Sequence, residues 1–208
     1  MSHGVHAVQH EVEHEIKHGD QHGGHTNLLD NINKKVALLI GVMALCLALS
    51  ETLGKGAQTS VLSYNIEASN LWAFFQAKNI RRTIVLTAAE EMTVNAPAAP
   101  ETVKAAATKQ IESWQKTAAR YRSEPEVREG TVELAERAKE IEKKRDTALA
   151  KYHHYEVASA AFQIGIVLAS ATVITGMLVL TWLALGLGGL GVLFTAIGLF
   201  APHAVHLF

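Results

Sequence analysis

Cysteine is almost missing from this chain. Cys46 is the only one, which excludes an intrachain disulfide and any cysteine-built metal site. It lies in an apolar run, where a thiol behaves as a small hydrophobe. A charge imbalance is missing as well: the formal net charge is −1, which leaves no footprint for nucleic acid, and no RNA- or DNA-binding motif is present. There is no phosphate loop, no nucleophile–base arrangement and no haem or flavin motif, so no enzymatic activity is expected. No cleavable signal peptide is expected, because the first 35 residues are polar and histidine-rich rather than basic and then apolar. The first apolar block is therefore expected to act as an internal signal-anchor.

Asp, Glu, Lys and Arg are themselves missing from two long stretches, Val36–Ser50 and Val157–Phe208, and concentrated between them. A hydrocarbon core of about 30 Å needs roughly 20 residues of helix. The first stretch, continued to Leu53 and preceded by Lys34 and Lys35, sits at the short end of that range. The second is too long for one span and right for two. Thr181-Trp182 is the best turn between them, giving spans Val157–Leu180 and Leu183–Ala201 with the tryptophan at headgroup level. The glycine-rich run Gly186, Gly188, Gly189 and Gly191 is the alternative turn, and Pro202 ends the last helix. Ala161, Gly165 and Ala169 line one small-residue face, as do Gly191, Thr195 and Gly198 on the next span. In lipid such faces let backbones approach closely, and they suggest a homo-oligomer. No Asp, Glu, Lys or Arg lies deep in a span, where such groups mark ion or proton pathways, and this argues against a transporter.

The residues between the apolar blocks have helical periodicity. Leu62, Ile66, Ala73, Ala77, Ile80 and Ile84 recur at helical spacing, and Trp72, Phe74 and Phe75 add a bulky aromatic cluster. Thr93–Pro100 is a loop broken by Pro97 and Pro100, and helix resumes at Glu101 with Val103, Ala107, Ile111, Trp114, Ala118 and Tyr121 on one face. Ser123-Glu-Pro125 marks a second break, with Ser123 as N-cap and Pro125 in the first turn of the final arm. That arm carries Val127, Leu134, Ala138, Ile141, Ala148, Tyr152 and Tyr155 in a near-heptad stripe, opposite a face dense in Glu and Lys. Coiled-coil packing of the arms follows, as an antiparallel stalk. Its alanine-rich seams bury little area, so other copies or another protein are expected to support it.

The expected fold is thus an all-α membrane protein with three transmembrane helices and an antiparallel, coiled-coil-like extramembrane helical hairpin. Its parts are a histidine-rich arm (1–33), a first span (34–53), a helical stalk (54–156), a transmembrane hairpin (157–201) and a short tail (202–208). The lipid bilayer is one partner, and a homo-oligomer or larger membrane complex the other. Lys34 and Lys35 favour a cytoplasmic N-terminus and an external stalk; Lys143, Lys144, Arg145 and Lys151 favour the reverse. Because segments beyond about 60 residues translocate regardless of charge, the former is preferred.

The segment Ile66-Glu-Ala-Ser-Asn-Leu-Trp-Ala-Phe-Phe-Gln-Ala-Lys-Asn-Ile-Arg81 resembles the signature of a bacterial membrane family, domain of unknown function 4337. There a Trp-Ala-aromatic-aromatic-Gln-Ala-Lys run follows an N-terminal span and a two-helix membrane hairpin ends the chain. The resemblance extends from Lys34 to Ala201 and implies a multi-pass inner-membrane location but no activity. Where members carry a basic cluster in the terminal hairpin, this chain has Thr181-Trp182. Trp72, Phe74, Phe75, Gln76 and Lys78 are the candidate contact surface, with the stalk core as their alternative role.

The N-terminal arm is the one chemically pointed feature. His6, His10, His14, His18 and His22 recur every fourth residue, which on a helix stacks imidazoles along one face where pairs chelate Zn²⁺ or Ni²⁺. Two overlapping H-E-x-x-H matches, His10–His14 and His14–His18, follow from that composition and lack a surrounding domain to build a proteolytic cleft. Two function classes emerge. One is a membrane-anchored, self-associating scaffold or accessory subunit without a cofactor; the other is a divalent-metal-binding membrane accessory or sensor protein that uses the histidine arm.

Overall fold

The computed structural model describes the backbone of residues 4–205 and the side chains of Asn31 and residues 33–205. Within them the chain forms α1 (Gly4–Asn95), a 3₁₀ turn (Ala96–Ala98), α2 (Glu101–Arg122), α3 (Thr131–Thr175) and α4 (Leu178–Phe200), with no strand. The prolines act as punctuation. Pro97 lies in the 3₁₀ turn, and Pro100 supplies the carbonyl that receives the first amides of α2, those of Val103 and Lys104. Glu101 opens α2 and Arg120 and Arg122 close it, each matching the sign of the helix dipole.

Three of the helices are long and apolar enough to cross a membrane. The chain divides into two compact units: one built from the chain up to Gly54 and from His153 onward, the other from Lys55–Tyr152.

In the first unit α1, α3 and α4 pack side by side. Val36 meets Ala169 and Ala184 at one end, Met43 meets Ala158 and Phe162 in the middle, and the Ser50 hydroxyl donates to the Tyr155 carbonyl (3.1 Å) at the other. Chain direction alternates accordingly, α1 and α4 running one way and α3 the other. Glycine sets the spacing. A Cβ at Gly191 would come within 2.8 Å of the Phe162 ring, and one at Gly198 within 2.8 Å of the Tyr155 ring. Ala184, Gly191 and Gly198 fall every seventh residue along α4 and are all buried.

The turn between α3 and α4 is not at Thr181-Trp182. It falls at Gly176, whose φ of +70° is open to glycine, and whose N–H bonds to the Thr172 carbonyl at 2.8 Å in a helix-ending cap. Thr181 and Trp182 instead sit in the first turns of α4, Thr181 donating to the Thr172 hydroxyl (3.2 Å) and Trp182 exposed. The alternative glycine-rich run lies within α4. A lone glycine after an apolar helix outweighed polarity and aromaticity as a stop signal.

In the second unit, the Lys55–Asn95 part of α1 runs antiparallel to α2 and the start of α3. Trp72 pairs with Glu142 whereas Lys78 pairs with Glu124 and Glu129, so partners descend as α1 ascends. Ala68, Leu71, Leu134, Ala138 and Ile141 form the core, with Tyr64, Trp72 and Phe75 packed against it. Burying a leucine is worth roughly 1.5–3 kcal/mol and an alanine far less, so Leu71 and Leu134 dominate this layer.

The break between α2 and α3 is longer than Ser123–Pro125. Ser123 is the C-cap of α2, its amide donating to Ala119, and α3 starts at Thr131; Val127 lies in the turn and is exposed. Gly130 decides this. A Cβ there would lie 2.6 Å from both the Glu124 amide and Ser123 Cα. Into that space Glu133 reaches back, accepting from the Ser123 hydroxyl and, at 3.3 Å, from the Glu124 amide.

Two predictions follow from this packing. The Ser123 hydroxyl, helped by the Glu124 amide, holds the Glu133 carboxyl below its ordinary pKa of 4.5. A depressed carboxylate stabilises the fold above that value and loses the contribution as pH falls through its folded pKa. Thermal melting of the protein and of Glu133→Gln should therefore differ by a constant gap above pH 4.5 that narrows in more acidic buffer. At Gly165, a Cβ would meet Met43 Cε and, at 3.3 Å, the Ala184 carbonyl. Gly165→Leu should cost about 1–3 kcal/mol in detergent melts, with Met43→Ala restoring part of the loss.

Candidate interaction surface

Three sets of residues compete to be this protein's functional surface, and the helices place them differently. Ala161, Gly165 and Ala169 are all buried within the chain, against α1 and α4. They are helix-packing residues, but the small face is filled by the protein's own helices. It is not a surface open to a second copy.

The aromatic segment divides by helical phase. Trp72, Phe75 and Lys78, three residues apart, turn towards α2 and α3; Phe74 and Gln76 are exposed. The Trp72 indole N–H donates to Glu142 Oε1 at 2.9 Å, and its ring meets Phe75 edge-on, 5.4 Å between centroids. Such a pair adds roughly 0.5–1.5 kcal/mol beyond burial. Lys78 is buried, its ammonium 3.2 Å from Glu124 Oε2 and 3.6 Å from Glu129 Oε2. The Phe74 and Tyr121 rings lie 5.6 Å and 6.0 Å from the same nitrogen. A buried ammonium is tolerated only with such compensation. This cluster latches α1 to the 123–130 turn, so Trp72, Phe75 and Lys78 serve the core.

Of the residues that complete the latch, Tyr121 was legible on the apolar face of α2, whereas Glu124, Glu129 and Glu142 carried no signal of their own in the sequence. The heptad series Tyr64, Leu71, Lys78 marks the inward face of α1 on which they converge. His154 was also missed. It is buried in the first unit with Nε2 3.0 Å from the Pro202 carbonyl, and a carbonyl only accepts, so Nε2 carries the proton. Its Nδ1 has no hydrogen-bond partner among the described residues.

The third set is the apolar series on α1, and here the structure overturns the arm-packing role its periodicity suggested. Leu62, Ile66, Ile80 and Ile84 are 59, 62, 60 and 62% exposed, and Ala73 and Ala77 between them are exposed too. The helix has two apolar faces, and its neighbours cover the other one.

His6, His10, His14, His18 and His22 lie outside the residues whose side chains are described. Among the described residues no group of three or more His, Cys, Asp or Glu is placed to hold a metal ion.

The family described as domain of unknown function (DUF4337) matches residues 32–201. The chain belongs to this family. No curated protein and no solved structure matches it. The DUF4337 match covers the three apolar helices and the whole Lys55–Tyr152 unit. It assigns no activity to any of the three residue sets.

Removing the anions from the latch should hurt more than removing the cation. Glu124→Gln with Glu129→Gln leaves the Lys78 ammonium buried without a counter-charge and should cost about 1–3 kcal/mol. That is less than the 3–5 kcal/mol of a fully buried pair, because Glu129 is half exposed. Lys78→Met, which fills the space without a charge, should cost less. Thermal melts in one detergent rank the two variants; the opposite order would show that Lys78 is held by packing alone.

Proposed function

We propose that this protein is a non-enzymatic, membrane-anchored helical scaffold or accessory subunit that associates with itself through its extramembrane helices. The observation that carries this reading is that both units leave large apolar side chains uncovered, in two different patterns. In the first unit they face outward on all three helices: Leu38, Leu45, Val167, Ile174, Val179 and Phe200 are among the most exposed residues. Apolar surface of that extent is unstable in water and suits lipid. Lys35 and Trp182 share the rim of an open apolar cleft there with Val36 and Leu39, a pairing typical of the headgroup level. In the second unit the densest exposed apolar surface is a stripe on α1, Leu62, Ile66, Ile80 and Ile84, among polar neighbours, which suits a protein partner rather than lipid.

On this reading the Lys55–Tyr152 unit stands outside the bilayer as a coiled-coil-like hairpin, external to the inner membrane of a bacterial cell. The protein should stay in the membrane fraction through an alkaline carbonate wash. Its detergent-corrected mass by light scattering should be at least twice the 22.5 kDa of one chain. Extraction by carbonate would remove the anchor, and a monomeric mass at micromolar protein would remove self-association.

A further inference from the structure

The exposed stripe on α1 is symmetric about Ala73. Leu62, Ile66, Ser69, Ala73, Ala77, Ile80 and Ile84 are spaced 4, 3, 4, 4, 3 and 4, and every one is exposed. Spacings that sum to eleven over three turns keep residues on one face of a nearly straight helix. Read outward from Ala73, both directions meet a small residue at four, an isoleucine at seven and a branched apolar residue at eleven. Bulk lies at the ends of the stripe and small residues at its centre.

We propose that this face is the interface between two copies of this chain, paired antiparallel across a two-fold axis at Ala73. The inference rests on the self-association reading and adds the surface, its symmetry and its direction. An isologous contact requires a patch that complements itself. Here the two-fold sets Leu62 against Ile84 and Ile66 against Ile80 of the second copy, with Ser69 against Ala77 and Ala73 against itself.

Charge supports the antiparallel sense. Lys55 and Glu91 lie eighteen residues to either side of Ala73, five full turns at 3.6 residues each, and so share the line of the stripe; both are exposed. The same two-fold that pairs the apolar residues sets Lys55 of each copy against Glu91 of the other. On the flank of the helix it brings Arg81 beside Glu67, again exposed and opposite in sign. A parallel pair would instead stack Lys55 on Lys55, Arg81 on Arg81 and Glu91 on Glu91. Flanking charges of this kind set helix orientation, because like pairs repel. The Gly54–Lys55 junctions of the two copies then lie at opposite ends of the pair, about 54 Å apart at the helical rise.

Cysteine cross-linking in detergent tests the proposal, in a full-length background carrying Cys46→Ala. One chain receives Leu62→Cys and a differently tagged chain Ile84→Cys; the two are mixed and mildly oxidised. The expected product is the mixed 62–84 disulfide, with few 62–62 or 84–84 dimers. Predominance of the 62–62 dimer means parallel pairing and overturns the proposal. No cross-link from a protein of doubled mass places the dimer on another face and overturns it too, leaving self-association standing. A monomeric mass removes both. As a second variant, Ile66→Glu with Ile80→Glu should halve the mass while leaving the helical circular dichroism unchanged, since both side chains already face solvent. A doubled mass that survives this change counts against the interface.

Discussion

Every seventh residue of α3 from Leu134 to Ala169 is buried: Leu134, Ile141, Ala148, Tyr155, Phe162 and Ala169. A seven-residue repeat keeps one seam of a helix facing its neighbours over many turns. What changes along the repeat is what meets it. Leu134 and Ile141 sit against Ala68 and Leu71 of α1, where large meets small and a water-driven core is possible. Phe162 and Tyr155 sit where Gly191 and Gly198 of α4 leave room for a ring. Ala169 packs with Val36 and Ala184, where small residues let backbones come near one another. The same periodicity thus supports two kinds of packing, one based on burying apolar bulk and one on close backbone approach. α1 answers with its own sevenfold series, Val36, Met43 and Ser50 in one unit, Leu71 and Lys78 in the other, all buried.

A lysine and a serine within those buried series show how polar groups are accommodated. Ser50 gives its hydroxyl proton to the Tyr155 carbonyl, and Lys78 places its ammonium between two carboxylates and two aromatic rings. Ser50 is satisfied by α3, and Lys78 by the 123–130 turn, Tyr121 of α2 and Phe74 of its own helix. The Lys78 cluster also pins the 123–130 turn, where Gly130 and Glu133 fix the break between α2 and α3. One face of α1 is therefore committed to intramolecular contacts along its described length, and Leu62, Ile66, Ile80 and Ile84 on the opposite face are left uncovered.

Much of this was legible in the chain itself. Segregation of charge into the middle marked the three apolar helices, because a hydrocarbon-length run without Asp, Glu, Lys or Arg has few other uses. The stripe Leu134, Ala138, Ile141, Ala148 and Tyr155 marked the inward face of α3, and the structure buries each of these residues. The turns were less legible. Ser123 and Thr181-Trp182 have the composition of helix boundaries, but Gly130 and Gly176 hold the positions that only glycine fills. One gives way to a carboxylate and the other takes a positive φ. Neither requirement can be seen until the backbones are placed.

The sequence by itself determined that this is an all-helical chain, where its apolar helices lie and which face of α3 turns inward. These depend on composition and period, which are local properties. Only the tertiary structure decided between the two apolar faces of α1. Tyr64, Leu71 and Lys78 mark one and Leu62, Ile66, Ile80 and Ile84 the other, and the second is the more hydrophobic to read. The first is nonetheless the one covered, because Trp72 and Lys78 find Glu142 and Glu124, and Phe75 the core that includes Leu134, all far along the chain. Which of two competing faces is buried is set by the partners that reach it, and those partners are more than forty residues away in the sequence.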